Sequence, residues 1–368
     1  MDSPARQSIS DPDPDTLLIT VDRLTETADV LGVFRRPGEP IPVSANLHLL
    51  VLDRVALLEQ SWAEFIGILN QAREHTKVTL PGLDTVAGID SGELSTLPGV
   101  DDFLLLKRIR DEAVSGRWRR LIVDCSGVAD PFDFLRSASV LSQMLNRLWP
   151  KHRRLAAAAD KPALAELTAA VEAIDRDCLD VAEVLTDPHT TAVHLVVGAD
   201  RRGHRLLGHQ LATIDLMGLP LASVLLNHLA ESDGAESLDA TTPGSGLPVT
   251  TVPFSADPLD RAARLRKLRV SLPEPSGRPL GSAAAQVSTV SGSGTATLFE
   301  LAWPQRLPDP DTLQLGRSGD DLVVTVSGFR HPVRLPSVLR RCIVVDAAWN
   351  GSEVTIRFRP DPALWPRG

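Results

Sequence analysis

The sequence predicts an α/β protein, a parallel sheet flanked by helices, followed by a small all-β sandwich. Three observations carry this. Short, nearly all-apolar runs, Leu121–Cys125, Ala192–Val197 and Ser223–Asn227, alternate with helical stretches, and such runs are buried on both faces in parallel sheets. Beyond about residue 295 the pattern becomes short strands separated by turns such as Ser318-Gly319-Asp320 and Asn350-Gly351. Two of the apolar strands, Leu17–Asp22 and Leu121–Asp124, end in aspartate, at the end of a parallel strand where a doubly wound sheet places its ligand crevice.

The elements follow in order. Residues 1–15, rich in Asp, Pro and Ser, carry no apolar period and are expected to be disordered. A strand ending at Asp22 is followed by a second over Asn46–Asp53 and a helix from Ala56 to Glu74. Gly99-Val100-Asp101-Asp102 opens another helix, with the acidic pair where the helix dipole favours negative charge. It stops at Ser115-Gly116. Leu164, Leu167, Val171, Ile174, Cys178, Val181 and Leu185 form one apolar seam, read as packing against a neighbouring helix of the same chain in preference to a coiled-coil dimer. A helix over Leu206–Met217 precedes Ser223–Asn227, and a short strand over Val249–Val252 follows a Gly/Pro-rich loop, residues 231–248. The division expected is a disordered stretch 1–15, an α/β domain 16–272, a Ser/Gly/Pro-rich linker 273–294 and a sandwich 295–368. Ser291-Gly292-Ser293-Gly294 lacks a following lysine and is read as linker, not as a phosphate loop.

Composition narrows the function. With 368 residues and 43% hydrophobic content the chain can bury real cores. A net charge of -9 argues against a general nucleic-acid binder. Cys125, Cys178 and Cys342 lie far apart, so neither a zinc site nor a disulfide framework is indicated. No apolar run reaches the length of a membrane span and residues 1–15 have no signal-like core, so a cytoplasmic location is expected.

The order of motifs over residues 16–270 resembles the ArsA-like family of deviant-Walker ATPases, which includes the arsenite-pump ATPase and the tail-anchored-protein targeting factor. Thr20-Val21-Asp22 stands at the first switch, and Pro98-Gly99-Val100-Asp101-Asp102 is similar to P-G-x-D-E. Leu121-Ile122-Val123-Asp124 with Phe134-Leu135-Arg136 resembles V-V-D-T-A-P-T-G-H-T-L-R. Leu185-Thr186-Asp187-Pro188, Val224-Leu225-Leu226-Asn227 and Val252-Pro253-Phe254 resemble later family segments, and residues 295–359 resemble the α-crystallin-like sandwich that ends many bacterial members.

The resemblance implies a P-loop-NTPase-like fold using ATP and Mg2+. It makes Asp22 the carboxylate that orients the attacking water, Asp124 the magnesium residue, Asn227 a contact to the adenine edge and Pro253 a further cofactor-binding residue. It also implies a homodimer, or a heterodimer with a P-loop-containing paralogue, and a possible protein client held by strand edges of the sandwich. The sequence departs from the family in three places. It has no G-x-x-x-x-G-K-[ST], Arg23-Leu24-Thr25 replaces P-A-H of the first switch, and Cys125–Asp130 replaces T-A-P-T-G-H of the second. Asp22 has a competing reading as a helix cap and Asn227 as a turn residue. Two explanations of the missing loop stay open: a loop encoded ahead of Met1, or a degenerate ATPase or non-catalytic adaptor that pairs with an intact paralogue. The scattered cysteines and the three methionines argue against arsenite and against a methionine-rich groove as the cargo site.

Overall fold

The computed structural model describes residues 15–22, 27–74, 88–94, 97, 99–160, 164–228, 247–277 and 286–365. The disorder expected over residues 1–14, the altered switch residues 23–25 and most of the loop 231–248 lie outside the described residues. The chain divides into two compact units, Met1–Val184 with Leu259–Leu265, and Leu185–Pro258 with Arg266–Gly368.

The first unit contains β1 (Thr16–Thr20), α1 (Thr27–Leu31), β2 (Ile41–Ser44), β3 (Leu47–Val51), α2 (Arg54–Glu74), α3 (Val100–Val114), β4 (Arg120–Asp124), α4 (Pro131–Leu148), α5 (Lys151–Asp160) and α6 (Ala165–Thr186). Its sheet has the order β2-β3-β1-β4, with β1 parallel to both β3 and β4. β2, too short and Pro-containing to stand out in the sequence, adds antiparallel to β3. One sheet face carries Leu17 and Ile19, both fully buried. The other carries a row Leu49, Leu18, Ile122, one residue from each of three neighbouring strands. On that second face Leu49 and Val51 pack with Ala28 of α1 and with Ile41, and Leu18 joins them partly buried. The row ends at Ile122 on β4, still 38% exposed. β4 is the edge strand there, although its sequence reads as a strand buried on both faces.

Helices α4, α5 and α6 hold one another through a buried ionic network. The guanidinium of Arg154, fully buried, donates from Nε to Glu172 at 2.8 Å and lies 3.4 Å from Asp175, whose carboxylate also accepts Ser142 Oγ at 2.6 Å. Cys178 in the α6 seam is fully buried. The seam therefore packs within its own chain, as expected.

The second unit begins with β5 (Val193–Gly198), α7 (Arg201–Met217), β6 (Leu221–Asn227) and β7 (Val249–Val252), the three strands forming a parallel sheet in the order β5-β6-β7. α8 (Ala262–Leu265), which follows in the chain, belongs to the first unit. Val196 on the edge strand β5 is 60% exposed. The sandwich comprises β8 (Gln286–Ser291), β9 (Leu298–Pro304), β10 (Gln314–Ser318), β11 (Asp321–Val326), β12 (Phe329–Arg334), β13 (Cys342–Trp349) and β14 (Glu353–Pro360). Its sheets run β10-β11-β12 and β13-β14-β9-β8, all antiparallel. β8 lies in the stretch expected as linker, where Val287 and Val290 are too sparse among Ser and Thr to announce a strand. Gly351, at φ +104°, and Gly319, at φ +60°, adopt the left-handed backbone that their hairpin turns require.

The sandwich core does not close on itself. Leu301, Leu322, Val324, Ile356 and Phe358, all fully buried, share one cluster with Ala212 and Leu216 of α7. Asp215 of α7 accepts the backbone N–H of Arg306 at 2.9 Å and its Nε at 2.7 Å, and Gln305 Nε2 donates to the Ala212 carbonyl at 2.8 Å. α7 is thus the shared wall between the small parallel sheet and the sandwich.

Candidate functional site

Three neighbouring parallel strands of the first unit end in aspartates: Asp22 after β1, Asp53 after β3 and Asp124 at the end of β4. The register places Thr20 beside Asp124, and Val21 N–H donates to the Asp124 carbonyl at 3.4 Å. The loop after β4 then folds back onto Asp22. A Cβ on Gly127 would stand 2.2 Å from Asp22 Cα and 2.3 Å from its Cβ, so only glycine permits this approach. The structure therefore brings Asp22 and Asp124 together through their backbones. Asp124 Oδ1 accepts Ser126 N–H at 2.9 Å, which tightens the same loop.

The helices that follow β3 and β4 are each capped by an aspartate. Asp130 Oδ1 accepts the N–H groups of Phe132 and Asp133 at the start of α4, at 2.7 and 3.2 Å. Asp53 Oδ1 accepts Ala56 N–H at the start of α2, at 3.0 Å. A helix N-terminus holds phosphate through these free amides and its dipole. Here carboxylates take amides that a phosphate would need. Asp130 stands where the family pattern has histidine, and Asp130-Pro131 is a helix-start signature that the sequence does carry.

The second unit places Asn227 at the end of β6 and Pro253 just after β7, on adjacent strands, with Asn227 opposite Val252. Asn227 carbonyl accepts Ala199 N–H at 2.9 Å, joining the end of β5 to the same rim. Between β5 and α7 the residues Gly198-Ala199-Asp200-Arg201-Arg202-Gly203-His204 have the glycine spacing of a phosphate loop, with histidine in the lysine position. The backbone closes it. A Cβ on Gly203 would lie 1.9 Å from the Gly198 carbonyl oxygen, and Asp200 Oδ1 accepts Gly203 N–H at 2.7 Å. This turn is an ordinary capped helix start, with the Gly203 amide taken by Asp200. Asp22 and Asp124 lie in one compact unit and Asn227 and Pro253 in the other.

The thiol beside the carboxylates is kept protonated. Burial, reinforced by the neighbouring Asp124 carboxylate, pushes Cys125 up to about 11. Burial likewise raises Cys178, to about 12, with Asp175 and Asp177 adding to it.

As a donor set, Asp22 and Asp124 are hard oxygen ligands of the type magnesium takes, and the Asn227 amide can match a purine edge. The phosphate portion of a nucleotide has no such fit. Among the described residues these strand ends carry no lysine, and the starts of α2 and α4 have amides taken by Asp53 and Asp130.

Comparison with known proteins places these features. The profile described as Anion-transporting ATPase matches residues 3–240, and the profile described as HSP20-like domain found in ArsA matches residues 301–358. Protein Rv2184c of Mycobacterium tuberculosis is 32% identical, over 95% of this chain and 90% of its own length. Protein SCO2128 of Streptomyces coelicolor is 30% identical, over 96% of this chain and 92% of its own. A Chlorobaculum tepidum protein, named as a candidate arsenical pump-driving ATPase, is 22% identical over 59% of this chain and 54% of its own. The chain belongs to the anion-transporting ATPase family of ArsA type, with the HSP20-like domain of that family at its C-terminal end.

Proposed function

We propose that this chain is an ArsA-type subunit that cannot bind ATP through its own described residues, and gains activity when a strand, phosphate loop and helix are added at the open edge of β4. The observation that carries this reading is Ile122. It ends the row Leu49-Leu18-Ile122 with 38% of its surface exposed, on an edge strand whose sequence is that of a buried one. An added parallel strand would pair the β4 edge, and its helix would cover Leu18 and Ile122.

By family resemblance Asp22 orients water and Asp124 serves the magnesium ion, while Asn227 contacts the base and Pro253 is a further nucleotide-binding residue. The added segment comes either from residues encoded ahead of Met1 or from a P-loop-bearing paralogue in a heterodimer. The self-capped helix starts at Asp53 and Asp130 support the degenerate-subunit reading, because their carboxylates take amides that a phosphate would use there. A cytoplasmic location and a protein client follow from the same reading.

Calorimetry of the chain with Mg-ATP tests the first half, and no binding at micromolar concentration is expected. The second half is tested with the chain extended by any in-frame upstream residues, and with the chain co-purified with a P-loop paralogue. ATP hydrolysis should appear in one of these and be lost with Asp22→Asn. Micromolar affinity of the present chain alone would overturn the proposal.

A further inference from the structure

Residues 261–272 hold five cations, Arg261, Arg264, Arg266, Lys267 and Arg269, and no carboxylate, in a chain whose net charge is -9. Leu265, Leu268, Val270 and Leu272 are interleaved with them. Arg264 meets Asp260 at 2.8 Å, and Lys267 stands 4.0 Å from Asp257. Arg266 and Arg269 have no carboxylate partner among the described residues. Residues 266–272 of this stretch belong to the second unit. All of them are exposed except Leu268, which is half-buried, and Val270 and Leu272 expose 38% and 39% of their surface. Arg266–Leu268 form one 3-10 turn, and Arg269, at φ +49°, ends it. Cations without counter-ions and apolar side chains without cover thus share a single short stretch of surface.

That combination selects the partner. An acidic peptide would satisfy the cations and leave Val270 and Leu272 in water, and a purely apolar partner would bury unpaired guanidinium groups at high cost. The surface of an anionic bilayer takes both. Headgroup phosphates attract the cations, while apolar side chains enter the acyl boundary beneath. The long stems of Arg and Lys allow it, since they lie along apolar surface and keep their charge at headgroup level. Among the described residues no helix is long and apolar enough to cross a membrane, so such a contact is peripheral. We propose that residues 266–272 bind the surface of a membrane rich in anionic phospholipid, with Arg266, Lys267 and Arg269 at the phosphates and Val270 and Leu272 inserted below them. The contact needs no nucleotide and is independent of the open edge of β4.

The test is co-sedimentation of the full chain with vesicles of phosphatidylglycerol and phosphatidylcholine in equal parts, against vesicles of phosphatidylcholine alone. Binding is expected to the first only, and to weaken as salt is raised. The triple variant Arg266→Gln, Lys267→Gln, Arg269→Asn should lower the partition coefficient on the order of 100-fold, at about fivefold per cation. Asparagine is chosen at 269 because it tolerates positive φ. The pair Val270→Ser with Leu272→Ser should lower it about tenfold while keeping the preference for phosphatidylglycerol. All these side chains are exposed, and circular dichroism checks that each variant is folded. Equal binding to both kinds of vesicle, binding to neither, or a triple variant that binds as the wild type would each overturn the proposal. So would a serine pair with undiminished binding, or displacement of the vesicles by poly-glutamate at equal charge, since either would make the stretch a site for acidic protein instead.

Discussion

Gly127 rests directly on the backbone of Asp22, with no space for a methyl group between the loop after β4 and the turn after β1. The contact ties the two strand-end loops into one surface, so displacing either one moves both.

Replacing Gly127 by alanine forces the two loops apart, because the obstructing atoms are backbone and cannot rotate away. Overpacking of this kind costs roughly 1–3 kcal/mol. Urea unfolding of Gly127→Ala should show that loss. Gly67→Ala is the control, since Gly67 lies inside α2 with nothing within 4 Å of a Cβ. That change should stabilise by about 0.5–1 kcal/mol, as alanine replaces glycine in a helix. Two variants of equal stability would show that the contact carries no weight.

The strands that end in aspartate were legible in the sequence because each is a short apolar run stopped by a carboxylate; β1 and β3 are buried as such runs predict, whereas β4 stands at the sheet edge. β2 and β8 were not, since Pro42 interrupts the first and Ser and Thr dilute the second. The start of α7 was read too late. Arg201-Arg202-Gly203-His204-Arg205 has no apolar period, and only Asp200 as cap signals the helix. The approach of Gly127 to Asp22 and the pairing of Arg306 with Asp215 join residues far apart in the chain, and no local pattern records them. The switch departures were visible residue by residue. That the new aspartate at position 130 caps α4 required coordinates.

Arg306 should be the most sensitive single charge in the second unit. It supplies an N–H and two guanidinium contacts to Asp215, whose carboxylate is almost wholly buried on α7. Arg306→Ala leaves that carboxylate without its counter-ion and should cost about 3 kcal/mol. Because α7 also walls the small parallel sheet, chemical denaturation should show the sandwich and β5-β6-β7 losing stability together. A variant in which only the sandwich melts early would contradict the shared-wall arrangement.

His194 gives a pH dependence of known sign. Its imidazole is half-buried on β5, its Nδ1 lies 2.8 Å from Ser223 Oγ, and burial lowers it below its ordinary 6.5. The unfolded chain therefore takes up a proton near pH 6.5 that the folded chain resists until lower pH, and stability falls as pH drops through that window. The urea midpoint of the wild type should decline between about pH 7.5 and about pH 5.5, either side of the ordinary histidine value of about 6.5, more than that of His194→Gln. Identical slopes would remove His194 as the cause.

Cys125 follows Asp124 in the loop that touches Asp22, and its thiol, pushed up to about 11 by burial and by the Asp124 carboxylate, should be unreactive near neutrality. A thiol at that value is ionised on the order of 100-fold less than a free one, and the thiolate is the reactive form. Iodoacetamide labelling at pH 7 should therefore be slower at Cys125 than at a free cysteine by about that factor. Asp124→Asn removes the carboxylate but not the burial, which is the larger cause, so labelling should speed up only in part. Full recovery of the free-cysteine rate would mean that the loop has opened, and that Gly127 no longer holds it against Asp22. Measured in parallel on Gly127→Ala, the same rate then reports whether the two strand-end loops separate.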